Sequence, residues 1–319
     1  MGPPSTSPEP PHPAPEEGFA EGDDGTRIFW SAVGGGAGET LVCCDGIGCD
    51  GFAWKYLVRD FASDHRIVRW HYRGHGRSGI PQDRARTGLD DICADLSAVL
   101  RASGTREAVF LGHSMGVQVA LEWHRRRRDT VSGLVLMCGS HGLPLDTFHG
   151  SALLKTAVPA LMKAAERWPD ATALLWRGVA ASEWAYQIAT HLEVNGKLVH
   201  REDFAPYFQH LASMDPRLFL SMLLQAGSHS AYDHLSSIDV PALIVAGTHD
   251  TFTPYWLSQE MHDLIRDSDM LTVPGGTHVA PIEQPELIGL RLERFLARIR
   301  AARERLAAPR AAAPRDAAE

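Results

Sequence analysis

The stretch AVFLGHSMGVQVALEW, residues 108–123, holds one serine between two glycines. An apolar run precedes Gly112, and a helix-like segment follows Gly116. The spacing G-x-S-x-G is typical of a nucleophile elbow, in which a strand turns sharply into a helix. So tight a turn strains the serine backbone and crowds the residues two places away, where only glycine avoids a clash. The pattern predicts Ser114 as a nucleophile at a helix N-terminus; the alternative is an ordinary strand-to-helix turn.

A serine hydroxyl is a weak nucleophile at neutral pH and needs a base that is itself oriented by an acid. For a strand-turn-helix elbow the expected chain order is serine, acid, histidine. Asp250 follows the apolar run VPALIVAG, and His278 follows the next strand-like run, DMLTVPG. The other usual position for the acid, after VSGLVLMCG, offers no carboxylate before Asp146. We therefore predict Asp250 as the acid and His278 as the base.

The chain contains 16 histidines, so a histidine near any motif is unremarkable. His249 adjoins Asp250 and would point elsewhere, whereas His113 flanks the serine and cannot fold back onto it. His71 and His75 belong to the loop HYRGHGRSG and are interpreted as structural. The Gly-Gly-Thr-His ending of the last predicted strand distinguishes His278 from these alternatives.

An acyl-transfer site also needs two N–H donors for the developing oxyanion. Met115, the residue after the serine, supplies one of them. The loop CCDGIGCDGFAW supplies the second, and we predict the backbone N–H of Ile47, because Gly46 and Gly48 let that backbone approach a substrate closely. The alternative is a plain loop at the end of a strand.

Around these residues, apolar runs alternate with helix-like segments. This alternation predicts a mostly parallel sheet covered on both faces by helices. The predicted strands are TRIFWSAV, TLVCCDG, HRIVRWHY, EAVFLG, VSGLVLMCG, VPALIVAG and DMLTVPG. The predicted helices are GFAWKYLVRDFA, LDDICADLSAVLRA, GVQVALEWHRRRR, PYWLSQEMHDLI and PELIGLRLERFLARIRAA. The run GGGAG is not followed by a helix, so we interpret it as a hairpin turn rather than a phosphate loop.

A helix-prone stretch interrupts this alternation and is rich in apolar and aromatic side chains. We predict a helical cap over residues 143–237, inserted into an α/β core of residues 18–142 and 238–305. Two disordered tails are expected because they have little to bury: the proline-rich residues 1–17 and the Ala, Pro and Arg-rich residues 306–319.

Composition excludes several classes of protein. The net charge of −8 argues against nucleic acid as a partner, and we interpret the basic run Arg125–Arg128 as a helix terminus. No segment reaches the roughly 18 apolar residues of a membrane span, and we expect no stable membrane anchor. The five cysteines are expected to be small buried residues of a reducing, cytoplasmic protein. Adjacent Cys43 and Cys44 point to opposite faces of a strand and cannot easily share a metal. We expect neither a metal nor a cofactor.

Several of these motifs together resemble the α/β-hydrolase superfamily, in particular the capped enzymes that include esterases, haloperoxidases and C–C hydrolases. The matching pieces, spread over residues 18–303, are DGIG, YRGHGRSG, GHSMG, GTHDTFTP and GGTHVAPIEQPE. The resemblance implies an α/β-hydrolase fold, with a mostly parallel central sheet flanked by helices and an inserted helical cap. It also implies Ser114 as nucleophile, His278 as general base, Asp250 as its acid, and Ile47 and Met115 as oxyanion donors.

Two residues depart from the family pattern. Asp45 stands where the family usually has histidine; because an ionised carboxylate would oppose an oxyanion, we expect it to turn into the loop. His71 stands where the family often has aspartate. A serine nucleophile, in place of aspartate, argues against dehalogenase and epoxide-hydrolase chemistry.

The expected function is a cofactor-free serine hydrolase that cleaves a small-molecule carboxylic ester with an apolar acyl or aryl group. Three alternatives stay open: hydrolysis of a C–C bond in a vinylogous diketo acid, whose carboxylate Arg177 would hold; perhydrolase or haloperoxidase-like activity; and a non-catalytic ligand-binding protein of the same fold. The sequence does not determine an oligomeric state.

Overall fold

Eight strands form a single sheet at the centre of the molecule. The computed structural model describes residues 14–147, 153–192, 194–196 and 198–307. The strands are β1 (Glu16–Glu21), β2 (Arg27–Gly34), β3 (Leu41–Cys44), β4 (Arg66–Trp70), β5 (Ala108–His113), β6 (Val131–Met137), β7 (Ala242–Gly247) and β8 (Ser268–Val273). Their order across the sheet is β1-β2-β4-β3-β5-β6-β7-β8. The pairs β1–β2 and β2–β4 are antiparallel, and the other pairs are parallel. The predicted fold class is confirmed.

Twelve α-helices surround or extend this sheet in the described part of the chain. They are α1 (Lys55–Phe61), α2 (Leu89–Ala102), α3 (Met115–Arg126), α4 (Pro144–Thr147), α5 (Leu153–Arg167), α6 (Pro169–Ala180), α7 (Glu183–Leu192), α8 (Arg201–Ser213), α9 (Pro216–Ser228), α10 (Tyr255–Leu264), α11 (Ala280–Glu283) and α12 (Pro285–Ala307). None of the helices described is long and apolar enough to cross a membrane.

The sheet has a hydrophobic core on each face because successive side chains of a strand point to opposite sides. Helices α2, α3 and α10 cover the face that contains Cys44, whereas α1 and α12 cover the face that contains Cys43. The strands β3, β5 and β7 are buried on both faces, as expected of central parallel strands. All five cysteines are buried and form no disulfide.

Helices α4–α9 lie between β6 and β7, and we refer to them as the helical insertion. Two clusters of apolar side chains hold it together, one around Phe204 and one around Leu145 and Val158. The indole N–H of Trp176 on α6 donates to the carbonyl of Leu211 on α8 at 2.7 Å. The insertion follows the strand next to the Ser114 strand, so it is placed above the sheet edge that carries Ser114.

The structure corrects several expectations about the chain ends and turns. The sequence prediction missed β1, which pairs with β2, so the boundary of the N-terminal tail at residue 17 is wrong. The helix α12 continues to Ala307, past the boundary at residue 305. Predicted disorder in residues 1–13 and 308–319 lies outside the described residues.

The GGGAG run is not a hairpin turn. It joins β2 to β3, and β4 lies between those two strands in the sheet. A backbone carbonyl explains the first glycine of the run: a Cβ on Gly34 would lie 2.3 Å from the carbonyl oxygen of Ala62. The basic run at Arg125–Arg128 does mark a helix terminus, since α3 ends at Arg126.

Candidate active site

Ser114 occupies the sharp turn between β5 and α3. Its backbone angles are φ 56° and ψ −120°, a strained conformation for a residue with a side chain. The glycines two positions before and after Ser114 are required because a side chain at either would collide with the backbone. A Cβ on Gly112 would lie 2.4 Å from the Gly116 carbonyl oxygen, and a Cβ on Gly116 would lie 2.0 Å from the Cys44 carbonyl oxygen. The Ser114 N–H donates to the Met137 carbonyl at 3.1 Å, which ties the turn to β6.

His278 and Asp250 reach Ser114 from the ends of the last two strands. The His278 Nε2 atom lies 2.8 Å from Ser114 Oγ, and His278 Nδ1 lies 3.0 Å from Asp250 Oδ2 and 3.2 Å from Oδ1. The Asp250 side chain is 1% exposed and that of His278 is 13% exposed, so the pair is shielded from water while the imidazole still borders a cavity. The structure brings the three side chains into one hydrogen-bonded chain.

Phe252 and Thr253, which follow Asp250 closely in the chain, hold this arrangement in place. Their role was not predicted from the sequence. The Asp250 carboxylate accepts hydrogen bonds from the N–H groups of Phe252 and Thr253 and from the Thr253 hydroxyl, each at 2.9 Å. The Phe252 ring stacks on His278 with 4.8 Å between ring centroids. The signal was present in GTHDTFTP, because an aspartate commonly accepts from backbone N–H groups two or three residues further on.

His113 also supports the site, in a role that its position beside Ser114 did not reveal. Its Nε2–H donates to the backbone carbonyl of His278 at 2.8 Å. Burial lowers the pKa of His113 to about 4, because the charged imidazolium would lose its hydration, so the ring is neutral at pH 7. His249, in contrast, is exposed.

The loop after β3 approaches Ser114 from the opposite side. A Cβ on Gly46 would lie 3.1 Å from the Ser114 Cβ, so the loop backbone lies against the serine. The Gly48 N–H donates to Nε2 of the buried His75 at 3.0 Å, and His75 Nδ1 faces the Arg73 carbonyl at 3.1 Å. Burial lowers the pKa of His75 to about 3, which keeps Nε2 free to accept. Ile47 and Met115, the predicted oxyanion donors, both border the cavity beside Ser114.

Asp45 is held by hydrogen bonds from Trp54 and Tyr72. Its Oδ1 accepts the indole N–H of Trp54 at 2.6 Å, and its backbone carbonyl accepts the Tyr72 hydroxyl at 2.7 Å. Burial, which disfavours the charged form, raises the pKa of Asp45 to about 7. His71 accepts a hydrogen bond from the Arg77 N–H on Nδ1 at 2.9 Å, so it supports the loop in which both residues lie.

Two apolar cavities border Ser114, and we refer to them as lobe A and lobe B. Their volumes are about 180 Å³ for lobe A and about 260 Å³ for lobe B. Both are bordered by Ile47, Ser114, Tyr207, Phe252 and His278. Lobe A is further lined by Met115, Gln118, Leu145, Leu154 and Leu223. Lobe B is further lined by Cys49, Phe52, Phe204, Phe208 and Leu211.

Charge is excluded from both lobes. Within the described structure their linings include no Lys, Arg, Asp or Glu. Arg177, predicted to hold a substrate carboxylate in the C–C hydrolase alternative, lies exposed on α6 and lines neither lobe. A larger groove of about 770 Å³ between α1 and α12 is lined by several charged residues, but it does not reach Ser114. Among the residues that the structure describes, no group of three or more His, Cys, Asp or Glu is arranged to hold a metal ion.

This fold and site define a class of protein. A family model described as the alpha/beta hydrolase fold matches residues 39–285, and the chain belongs to that family.

Individual relatives share the fold at low sequence identity. A putative carbamate hydrolase RutD of Rhizobium rhizogenes is 24% identical over 81% of this chain and 92% of its own length. A putative 2-succinyl-6-hydroxy-2,4-cyclohexadiene-1-carboxylate synthase of Bacillus subtilis is 24% identical over 86% of this chain and 97% of its own. Among solved structures, a thermophilic esterase from Thermogutta terrifontis superposes with a TM-score of 0.72 at 21% identity, covering 89% of this chain and 99% of that one. Family and relatives together support hydrolysis as the class of reaction.

Proposed function

We propose that this chain is a serine hydrolase that cleaves uncharged carboxylic esters through an acyl-enzyme. The observation that carries the proposal is the hydrogen-bonded chain in which His278 Nε2 lies 2.8 Å from Ser114 Oγ while Nδ1 faces Asp250. In this geometry the imidazole can remove the proton of the serine hydroxyl while the serine oxygen attacks the substrate.

The steps follow from the positions of the atoms. Ser114 Oγ bonds to the ester carbonyl carbon as His278 Nε2 takes its proton, and the Asp250 carboxylate stabilises the imidazolium through Nδ1–H. The N–H groups of Ile47 and Met115 bind the oxyanion. The C–O bond to the alcohol then breaks, and His278 returns the proton to the departing oxygen. A water molecule, activated by the same histidine, hydrolyses the acyl-enzyme and restores Ser114.

The lobes support an uncharged ester as the substrate. Each lobe borders Ser114 and His278 and has further lining residues of its own, so one would receive the acyl group and the other the alcohol group. Both are lined by aliphatic and aromatic side chains, which favour apolar substituents on each side of the scissile bond. The diketo-acid alternative requires a cation to bind the carboxylate, and Arg177 is exposed and lines neither lobe.

Labelling with a fluorophosphonate tests the nucleophile directly. Wild-type protein should gain one adduct by intact mass, and peptide mapping should place the adduct on Ser114. Ser114→Ala should gain none, and circular dichroism of that variant establishes that its fold is intact. Wild-type protein that stays unmodified would remove the basis of the proposal.

A substrate panel tests the type of bond. Nitrophenyl esters of graded acyl length should be hydrolysed with burst kinetics, and a vinylogous diketo acid should be a poor substrate. Diketo-acid turnover well above ester turnover would instead assign C–C bond hydrolysis to the same three residues. Tight binding of a small molecule without turnover of any activated ester would indicate a non-catalytic protein.

A further inference from the structure

The helix α6 presents its apolar stripe to solvent. Positions three and four residues apart on this helix are exposed and carry no polar side chain: Ala171, Leu174, Leu175, Gly178 and Val179. Leu174 is 76% exposed and Leu175 is 67% exposed. An amphipathic helix of a globular domain ordinarily turns such a stripe toward the core. In α6 the inward side is occupied by other residues, including the partly buried Trp176 and the buried Ala180.

The neighbouring helices extend this exposed apolar surface. Helix α6 contacts both α5 and α7. Seven of the fourteen large hydrophobic residues that are exposed in the described structure lie on or between these three helices: Leu153, Leu161, Trp168, Leu174, Leu175, Val179 and Trp184. We refer to them as the outer surface of the insertion. A concentration of this kind marks an interaction site, because scattered exposed hydrophobic residues are normal but clustered ones are not.

The termini outside the described residues do not offer an apolar cover. Residues 1–13 contain no large apolar side chain other than Met1, and residues 308–319 contain none. These two segments are therefore poor candidates for the occupant of the outer surface.

Charge indicates what that occupant is. The stretch from Leu153 to Trp184 carries four cations, Lys155, Lys163, Arg167 and Arg177, against three carboxylates, Glu166, Asp170 and Glu183, in a chain whose net charge is −8. Glu183 is already paired with Arg201 of α8. Lys155 pairs with Asp146, and the Arg167 guanidinium lies 6.0 Å from the Trp168 ring centroid. Exposed leucines and tryptophans combined with lysines and arginines are typical of helices that lie in the interface of an anionic bilayer. A symmetric second copy would instead bring the same cations of two chains near one another.

We propose that the outer surface of the insertion docks reversibly on anionic lipid surfaces. The apolar side chains enter the interfacial region, with Trp168 and Trp184 at the depth of the headgroups, while the cations bind lipid phosphates. The same helices reach the candidate active site: Leu154 of α5 lines lobe A, next to the exposed Leu153. Docking thus places lobe A one helix away from a phase in which apolar esters concentrate. The docking itself requires no chemistry at Ser114.

Vesicle flotation tests the docking with the full chain. Wild-type protein should float with vesicles in which about a third of the lipid is phosphatidylglycerol and the rest phosphatidylcholine, and should bind pure phosphatidylcholine much more weakly. The double variant Leu174→Ser/Leu175→Ser should bind the anionic vesicles at least about tenfold more weakly. Lys163→Glu/Arg167→Glu should weaken binding similarly, and added salt should reproduce the effect of that second variant.

Leu290→Ser is the matched control, because Leu290 is a 61% exposed leucine on α12, outside the insertion. It should bind as wild type does. Ser114→Ala should also bind normally, which separates docking from the proposed ester hydrolysis. Hydrolysis of a short water-soluble ester should be unchanged in Leu174→Ser/Leu175→Ser. Wild-type protein that fails to float with anionic vesicles overturns the proposal. So does a dimer in solution that dissociates in Leu174→Ser/Leu175→Ser, since a second copy would then cover the surface.

Discussion

The edge of the sheet around Ser114 tolerates added atoms much less than the helical insertion above it does. At the sheet edge a Cβ on Gly116 would lie 2.0 Å from a backbone oxygen, whereas a Cβ on Gly178 of α6 would meet no atom within 4 Å. The Asp250 carboxylate is saturated by three hydrogen bonds besides His278, while α6 leaves leucines in solvent. The three side chains that we propose to react are therefore held by contacts that allow little movement, whereas the insertion, which we propose to select substrates and surfaces, is packed less tightly.

Removal of the base should give the largest effect on activity. His278→Ala should lower kcat/KM for a nitrophenyl ester by more than about a thousandfold, because Ser114 Oγ loses its proton acceptor. His249→Ala, at an exposed histidine beside Asp250, should stay within about threefold of wild type. Steady-state kinetics on both variants checks this prediction. Comparable losses in the two would mean that the hydrogen bond between His278 and Ser114 is not the one used in the reaction.

Replacing one glycine in each region should change the free energy of unfolding in opposite directions. Gly116→Ala should lower the free energy of unfolding by about 3 kcal/mol or more, since neither the Cys44 carbonyl nor α3 moves without disrupting the core. Gly178→Ala should instead raise it by about 0.5–1 kcal/mol, because alanine has the higher helix propensity and enters open space. Urea denaturation measures both. A stable Gly116→Ala protein would contradict the close packing of the turn against β3.

The same difference in tolerance explains what the sequence could predict. Gly112, Ser114 and Gly116 were readable because a strained turn permits few residue types at those positions. The order of Asp250 and His278 was readable because both follow apolar runs that had to be parallel strands. Their meeting with Ser114 could be expected for the same reason, since the ends of parallel strands share one edge of the sheet.

What escaped prediction depends on contacts between distant segments. The bond from His113 to the His278 carbonyl and the bond from Gly48 to His75 join residues whose neighbourhood only the folded sheet creates. The strand β1 was missed because three of its six residues are glutamates and because it pairs with β2 alone, at one edge of the sheet. The GGGAG run was misread because no local signal reports that β4 separates β2 from β3. Nor does the composition of the insertion tell which apolar residues line a cavity and which face solvent.

Asp45 provides a test of the sheet edge through pH. Its pKa is about 7 in the folded protein against 3.8 for an ordinary aspartate, so between these values the folded state holds a proton that the unfolded state has lost. That contribution to stability is complete below pH 3.8 and is lost as the pH rises through 7. Asp45→Asn still accepts from Trp54 but does not titrate. As the pH rises from 5 to 7, the free energy of unfolding of Asp45→Asn should therefore increase by about 2 kcal/mol relative to that of wild type.

Urea unfolding at the two pH values measures this difference, and pH effects shared by both proteins cancel. Asp170→Asn, at an exposed carboxyl of the insertion, is the control and should follow the wild-type pH profile. If the stability of Asp45→Asn also has the same pH dependence as that of wild type, the Asp45 carboxyl does not occupy the buried position beside Trp54.

The smallest effect, and the one that joins the two regions, concerns the lobes. Leu223→Trp enlarges a side chain that lines lobe A, and Leu211→Trp does the same in lobe B. Each should lower kcat/KM about tenfold for esters that are long on one side of the scissile bond, and leave esters that are long on the other side nearly unchanged. The matched leucine-to-tryptophan changes make steric bulk the only variable. A crossed pattern, in which one variant rejects long acyl groups and the other long alcohols, would assign each lobe. Identical losses on both series would mean that the lobes act as one undivided pocket, so that specificity lies in its total volume rather than in a division into two lobes.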